Sequence, residues 1–305
     1  MSHTRFYGMV PPVVTPFNTD GSVDHETLAN VVNHLVESGM HGLFAMGSTG
    51  EVAYLTNRQR HDVLKTIIDT NAGRVPVIAG AIDLTAQRSI ELANDAVELG
   101  ADAFVVTAPI YAINDVKEIE DHFRIIGAGV DAPMFVYDIP VRVHKKIPAD
   151  LLVRLGLDGV VAGVKDSSGD DVGFRRLVMA NRAAGSPLRV FTGHEVVVDG
   201  MLLLGADGVV PGLANVDAAR YAKLWDAAMA GDWATARVLQ DELTSLFEIV
   251  FQATGRSGDA AGVGAFKVAM AAQGLLKSPA MAAPVQALDG DVAERIVEIV
   301  RANGL

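Results

Sequence analysis

One lysine closes an apolar run, Val160-Val161-Ala162-Gly163-Val164, and is followed at once by an acid, Lys165-Asp166. An ammonium held in a low-dielectric pocket is disfavoured against the free amine, and a free amine attacks a carbonyl carbon to form an imine. Taken alone, the same residue also fits a lysine that carries its charge out of a strand end into water. Its neighbours favour the chemistry. Tyr137 ends another apolar run 28 positions earlier, one strand-helix repeat. That spacing puts Tyr137 and Lys165 at the tops of adjacent strands, about 4.8 Å apart. A phenol beside an imine-forming amine is suited to moving protons.

Further reactive residues fall at similar places. Gly47-Ser48-Thr49-Gly50-Glu51 sets two hydroxyls between glycines whose backbone N–H groups can line a concavity for a carboxylate or oxyanion. The same five residues also read as a turn with a capping box between Ser48 and Glu51. Tyr111 follows a fourth apolar run in Ala108-Pro109-Ile110-Tyr111, where packing is the plainer role. Arg142 lies just beyond Tyr137-Asp138-Ile139-Pro140, either as a solvated cation or as a bidentate grip on a substrate carboxylate. Ser168 and Asp170 suit substrate binding or a helix N-cap, and His194-Glu195 suits a polar substrate or the start of a helix. No H-x-H or H-E-x-x-H pair supports a metal site, and no G-x-G-x-x-G or Walker loop supports a nucleotide cofactor.

The elements that must position these residues show in the hydropathy. Short apolar runs alternate with amphipathic stretches roughly every 25 to 30 residues, the pattern of βα units around a parallel sheet. Eight runs are expected as strands: 8–14, 42–46, 75–79, 103–107, 133–137, 160–164, 189–192 and 208–211. Helical patterns lie between them, including 24–37, 57–70, 85–99 and 116–126. Eight repeats predict a closed (β/α)8 TIM barrel over 1–230, in which chemistry gathers at the C-terminal strand ends. The stretches 233–251, 262–273 and 291–302 predict a C-terminal helical appendage over 231–305. Pro11-Pro12 sits awkwardly in the first run, since proline donates no ladder hydrogen bond.

The chain has 305 residues, half of them hydrophobic, enough for one barrel plus an appendage. It contains no cysteine, which removes disulfides, thiolate clusters and a cysteine nucleophile. Met1-Ser2-His3-Thr4-Arg5 lacks the apolar segment of a secretion signal, and no run approaches the ~18 apolar residues of a membrane span, so a cytoplasmic setting is expected. A net charge of -12 speaks against a nucleic-acid partner.

In order and spacing, Gly47-Ser48-Thr49-Gly50-Glu51, Tyr137-Asp138-Ile139-Pro140, Gly163-Val164-Lys165-Asp166 and Gly208-Val209-Val210 resemble the dihydrodipicolinate synthase / N-acetylneuraminate lyase family over nearly the whole chain. The resemblance implies Schiff-base chemistry on pyruvate or another 2-oxo acid, without metal or nucleotide. Lys165 matches the imine lysine and Tyr137 the proton-relaying tyrosine. Ser48 matches the hydroxyl linking Tyr137 to a tyrosine from a neighbouring subunit, which Tyr111 matches; a homotetramer is the usual assembly. Thr49 and the Ser48 amide match the carboxylate pocket, beside Gly47 as a further substrate-binding residue, with the Val210 carbonyl nearby. The branch stays open. Arg142 matches the arginine with which the synthases hold aspartate semialdehyde, whereas Ser48 and Ser168-Gly169-Asp170 look more like the lyases and sugar-acid aldolases. Val143-His144 departs from the usual Thr-Gly, and Gly193-His194-Glu195 fits neither branch. Ile110, Asp83 and Asn57 replace residues of the lysine feedback site, so that regulation is not expected. The reading outside catalysis is an idle barrel that senses or scaffolds a 2-oxo acid.

Overall fold

A computed structural model of the chain describes residues 5–305; Met1-Ser2-His3-Thr4, from the stretch read above for a secretion signal, lies outside the described residues. The first half runs β1 (Gly8–Met9), α1 (His25–Glu37), β2 (Leu43–Ala45), α2 (Asn57–Asn71), β3 (Val77–Gly80), α3 (Ala86–Leu99), β4 (Ala103–Thr107) and α4 (Val116–Gly129). It continues through β5 (Met134–Asp138), α5 (Pro140–Val143), α6 (Ala149–Leu157), β6 (Gly163–Asp166), α7 (Asp171–Ala183), β7 (Arg189–Thr192), α8 (Val198–Leu204), β8 (Gly208–Val209) and α9 (Ala218–Met229). Helices α10 (Trp233–Phe247), α11 (Gly258–Ala261), α12 (Val263–Ala272) and α13 (Gly290–Ala302) follow. The eight strands are parallel, in the order β1-β8-β7-β6-β5-β4-β3-β2. Backbone bonds from His41 N to Met9 O (2.8 Å), Phe44 N to Pro11 O (3.0 Å) and Val13 N to Phe44 O (2.9 Å) join the two edges. The fold is a (β/α)8 barrel with C-terminal helices.

Strands β4 and β7 match the sequence reading, β2, β3, β5 and β8 depart from it by one or two residues at an end, and the two larger departures, in β1 and β6, each have a hydrogen-bonding reason. Expected as 8–14, β1 is only Gly8–Met9, because Pro11 and Pro12 have no N–H to give and contribute carbonyls instead. Expected as 160–164, β6 is Gly163–Asp166. The amides of Val160 and Val161 bond back to Leu155 O at the end of α6, at 2.9 and 3.3 Å. Lys165 therefore lies within the strand rather than just past it.

Local signals set the helix starts. Asp24, Thr85 and Asp217 cap α1, α3 and α9, while Thr56 with Gln59 and Asp115 with Glu118 form capping boxes on α2 and α4. Inside the barrel, alternation along the strands puts Phe135, Tyr137, Gly163, Lys165 and Phe191 on one face, as the register pairs Phe135 with Gly163, Tyr137 with Lys165, and Lys165 with Phe191. A Cβ on Gly163 would come within 2.3 Å of Phe135 Cε1, so the ring occupies the space this glycine leaves. Phe135 and Phe191, 5.7 Å apart between ring centres, make an aromatic floor beneath the lysine.

Candidate active site

Lys165 and Tyr137 face each other across neighbouring strands. The Lys165 Nζ lies 4.0 Å from the centre of the Tyr137 ring and 4.9 Å from that of Phe44, and the lysine is buried. Burial pushes the Tyr137 phenol up, but the Lys165 charge and hydrogen bonds with Ser48, Lys165 and Ser167 outweigh it, so its pKa falls below the usual tyrosine value. A phenol eased towards ionisation beside an amine is equipped to exchange protons with a reacting carbonyl carbon's substituents.

Ser167 was not singled out from the sequence, although strict alternation from Lys165 marks it: Asp166 faces outward, so residue 167 returns inward. Gly193 depends on it. A Cβ there would sit 2.0 Å from Ser167 Oγ and 3.3 Å from Lys165 Cε, so only glycine lets the end of β7 approach the lysine this closely. Ser168, by contrast, turns away. Its hydroxyl and amide both donate to Asp166 Oδ1, at 2.6 and 2.8 Å, and Asp170 caps α7 through Gly173 N.

On the outer face of the same strands, Lys146 bridges Asp138 and Asp166, the latter at 2.9 Å. Burial is the main influence on Asp138 and, with the Asp166 charge, raises its pKa to about 6 against the pull of Lys146. Lys146 is itself raised: burial opposes its charge, and the two carboxylates prevail. The ion cluster thus fixes the ends of β5 and β6 from behind, where Tyr137 and Lys165 project forward.

The loop after β2 carries Ser48 and Thr49, both half-buried. Gly47 is required where the chain passes Phe44, since a Cβ would lie 2.6 Å from Phe44 Cε1. The Glu51 side chain is not part of a capping box with Ser48. It is turned inward from a left-handed backbone (φ 59°) to meet Lys267 of α12 and the Ala282 amide at 2.8 Å. Lys267 is wholly buried, donates to Ala280 O at 2.9 Å and stands 4.4 Å from the centre of the Phe17 ring. Burial lowers the Lys267 ammonium and raises the Glu51 carboxyl, in each case against the attraction of the partner. The C-terminal helices therefore hold the hydroxyl-bearing loop through a buried ion pair.

Beside Tyr137 opens a cleft of about 370 Å³, whose lining includes Ser48, Thr107, Tyr137, Arg142 and Asp259. Thr107 Oγ1 is buried there without a hydrogen-bond partner among the described residues. Arg142, on α5, pairs with Asp259 of α11, which also accepts the Tyr54 hydroxyl at 2.6 Å. That hydrogen bond, with burial, pushes the Tyr54 phenol up to about 12. An adjoining open pocket of about 470 Å³ shares Ser48, Arg142 and Asp259 and adds Thr49 and Glu195. Burial raises the Glu195 carboxyl to about 7, while its Oε2 accepts the Leu213 amide at 2.6 Å. Val210 is buried one residue beyond β8, its amide bonded to Thr192 O at 2.8 Å.

Besides Ser168, two expected site residues stand apart. The His194 ring contacts Asp171 at 3.1 Å, at the start of α7, leaving its neighbour Glu195 as the residue that lines the pocket. Tyr111 is 90% exposed, beside the equally bare Ile113, and lines neither pocket of its own chain's site. A larger cavity of about 510 Å³, lined by Asn181, Arg189 and Asp207 among others, opens at the opposite, N-terminal end of β7. It is far from the strand ends where the reactive groups gather.

Known proteins share this fold. The model of the dihydrodipicolinate synthetase family matches residues 5–303. A 4-hydroxy-tetrahydrodipicolinate synthase of Phenylobacterium zucineum is 36% identical over 253 residues, 82% of this chain and 84% of the relative. The structure of dihydrodipicolinate synthase from Bacteroides thetaiotaomicron superposes with a TM-score of 0.91 at 27% identity, covering 97% of this chain and 98% of the other. YagE, a prophage protein of Escherichia coli K12 solved in complex with pyruvate, gives 0.92 at 26% identity over 98% and 99%. With a match that runs from just before β1 to just past α13, the chain belongs to the dihydrodipicolinate synthase family of class I lyases.

Proposed function

We propose that the protein is a Schiff-base lyase in which Lys165 forms an imine with pyruvate or a related 2-oxo acid, and joins that acid to an aldehyde or releases it from one. The observation that carries this reading is the buried Lys165 amine held 4.0 Å from the ring of a Tyr137 whose phenol is eased towards ionisation. YagE, which was solved with pyruvate, has the same fold throughout.

The Lys165 amine adds to the 2-oxo carbon, and the carbinolamine loses its hydroxyl as water, with a proton supplied through Tyr137 and Ser48. The iminium nitrogen then draws electrons as a proton leaves C3, giving an enamine. C3 bonds to the aldehyde carbon, and the aldehyde oxygen takes a proton to become an alcohol. One water hydrolyses the imine, restoring Lys165 and freeing the product. Cleavage is the same sequence in reverse. Ser48, Thr49 and the amides from Gly47 onward hold the 2-oxo acid carboxylate near Val210, and Ser167 and Thr107 add hydroxyls on either side.

In the assembled enzyme, Tyr111 serves a neighbouring subunit's site, in keeping with its near-complete exposure on a single chain and that of Ile113 beside it. A homotetramer in the cytoplasm is the setting this reading expects.

Enamine formation is tested without any aldehyde by following exchange of the pyruvate methyl hydrogens with deuterium by NMR. The wild type should exchange them and Lys165→Ala should not. Absence of exchange across a panel of 2-oxo acids would refute the reading and favour an idle binding barrel.

A further inference from the structure

The outer pocket carries a charge arrangement that bears on the second substrate, and the inference rests on the imine reading above. Arg142 is the cation that would greet a substrate carboxylate, yet it is already matched. Its Nη2 donates to Asp259 Oδ1, bringing α5 of the barrel against α11 across 117 positions of sequence. Asp259 is well placed to keep that partner. Its side chain is only 14% exposed, and its second oxygen accepts the Tyr54 hydroxyl at 2.6 Å. Glu195 adds another carboxyl to the same pocket.

We propose that Asp259 neutralises Arg142, so that the outer pocket selects a neutral, hydroxylated aldehyde and disfavours one bearing a carboxylate. A substrate carboxylate would either displace Asp259, leaving it largely buried with the Tyr54 phenol as donor, or share with it the single charge of Arg142, and in both cases one desolvated carboxylate lacks a cation of its own. Hydroxyl groups meet no such obstacle. They donate to Asp259 and Glu195 and accept from the N–H groups that Arg142 keeps free, its side chain being 48% exposed. The selection is thus by exclusion as much as by attraction: a second carboxylate would face one guanidinium shared with one carboxylate.

The test condenses pyruvate with D-glyceraldehyde, succinic semialdehyde and L-aspartate semialdehyde, and compares kcat/KM. The wild type should favour glyceraldehyde by about tenfold or more over either semialdehyde. Asp259→Asn should shift the ratio by about tenfold towards succinic semialdehyde, and adding Arg142→Leu should abolish that gain. A wild-type ratio at or below one overturns the proposal, and needs no variant to read. So does a loss of semialdehyde use in Asp259→Asn, the result expected if Asp259 instead receives the ammonium of L-aspartate semialdehyde. Borohydride trapping of pyruvate on the same samples separates the two levels. An adduct with the wrong selectivity overturns this proposal alone, whereas no adduct overturns the imine reading beneath it.

Discussion

Replacing Lys267 by methionine removes the ammonium that faces Glu51 inside the protein while keeping an apolar side chain of similar length. Neither partner's side chain has any exposed surface, so the carboxylate left behind cannot recover its loss from water. Among the described residues it keeps the Ala282 amide alone, and the Ala280 carbonyl loses the Lys267 donor. Breaking a buried pair from one side destabilises by about 3–5 kcal/mol. At roughly 2 °C per kcal/mol for a chain of this size, the melting temperature should fall by roughly 6 to 10 °C. The double variant Glu51→Gln/Lys267→Met removes the stranded charge as well, and should be more stable than the single by at least about 1 kcal/mol. Chemical denaturation of wild type, both singles and the double gives the coupling directly. Raising the salt concentration should leave it nearly unchanged, because a pair without exposed surface is poorly screened. A loss below about 1 kcal/mol in Lys267→Met, or a double variant no better than that single, would refute the idea that this pair anchors the Ser48 loop.

Gly193→Ala, whose methyl would meet Ser167 Oγ at 2.0 Å, should slow imine formation by about tenfold or more while the fold persists, checked by trapping kinetics beside circular dichroism. Glu195 has its folded-state pKa raised from 4.5 to about 7, so the native state holds a proton that the unfolded state releases, and stability declines as pH rises through that window. Glu195→Gln should flatten this decline in melts taken between pH 4.5 and 8; an unchanged slope would assign it to other groups. Mixing Tyr111→Phe with Lys165→Ala should restore activity that neither variant has alone, if Tyr111 completes a neighbour's site; strictly additive activities would count against a shared site. Lys146→Met should lower the melting temperature and also reduce kcat, since Asp138 and Asp166 would be left facing each other behind the strands that carry Tyr137 and Lys165.

Much of the barrel was legible because parallel strands buried on both faces leave continuous apolar runs, and β4 and β7 begin and end where those runs do. The ends of β1 and β6 were not, because hydrogen bonding rather than hydropathy decides them: prolines without N–H groups at 11 and 12, and amides at 160 and 161 drawn back to Leu155. Lys165 and Tyr137 were visible as polar residues ending apolar runs one repeat apart. Ser167 was hidden by its neighbour Ser168, although alternation distinguishes them. Asp259 and Lys267 carried no local signal at all. They lie 117 and 216 positions from the residues they hold, on helices that read simply as an appendage. His194 and Glu195 were legible only as a pair, because which of two adjacent side chains enters a pocket depends on the turn that bears them.

The most direct measurement is borohydride reduction of the protein with pyruvate, followed by peptide mass spectrometry. A reduced pyruvyl adduct confined to the peptide containing Lys165, and lost in Lys165→Ala, is the predicted result. An adduct on a different lysine, or none with any 2-oxo acid tried, would contradict the claim that Lys165 is the nucleophile.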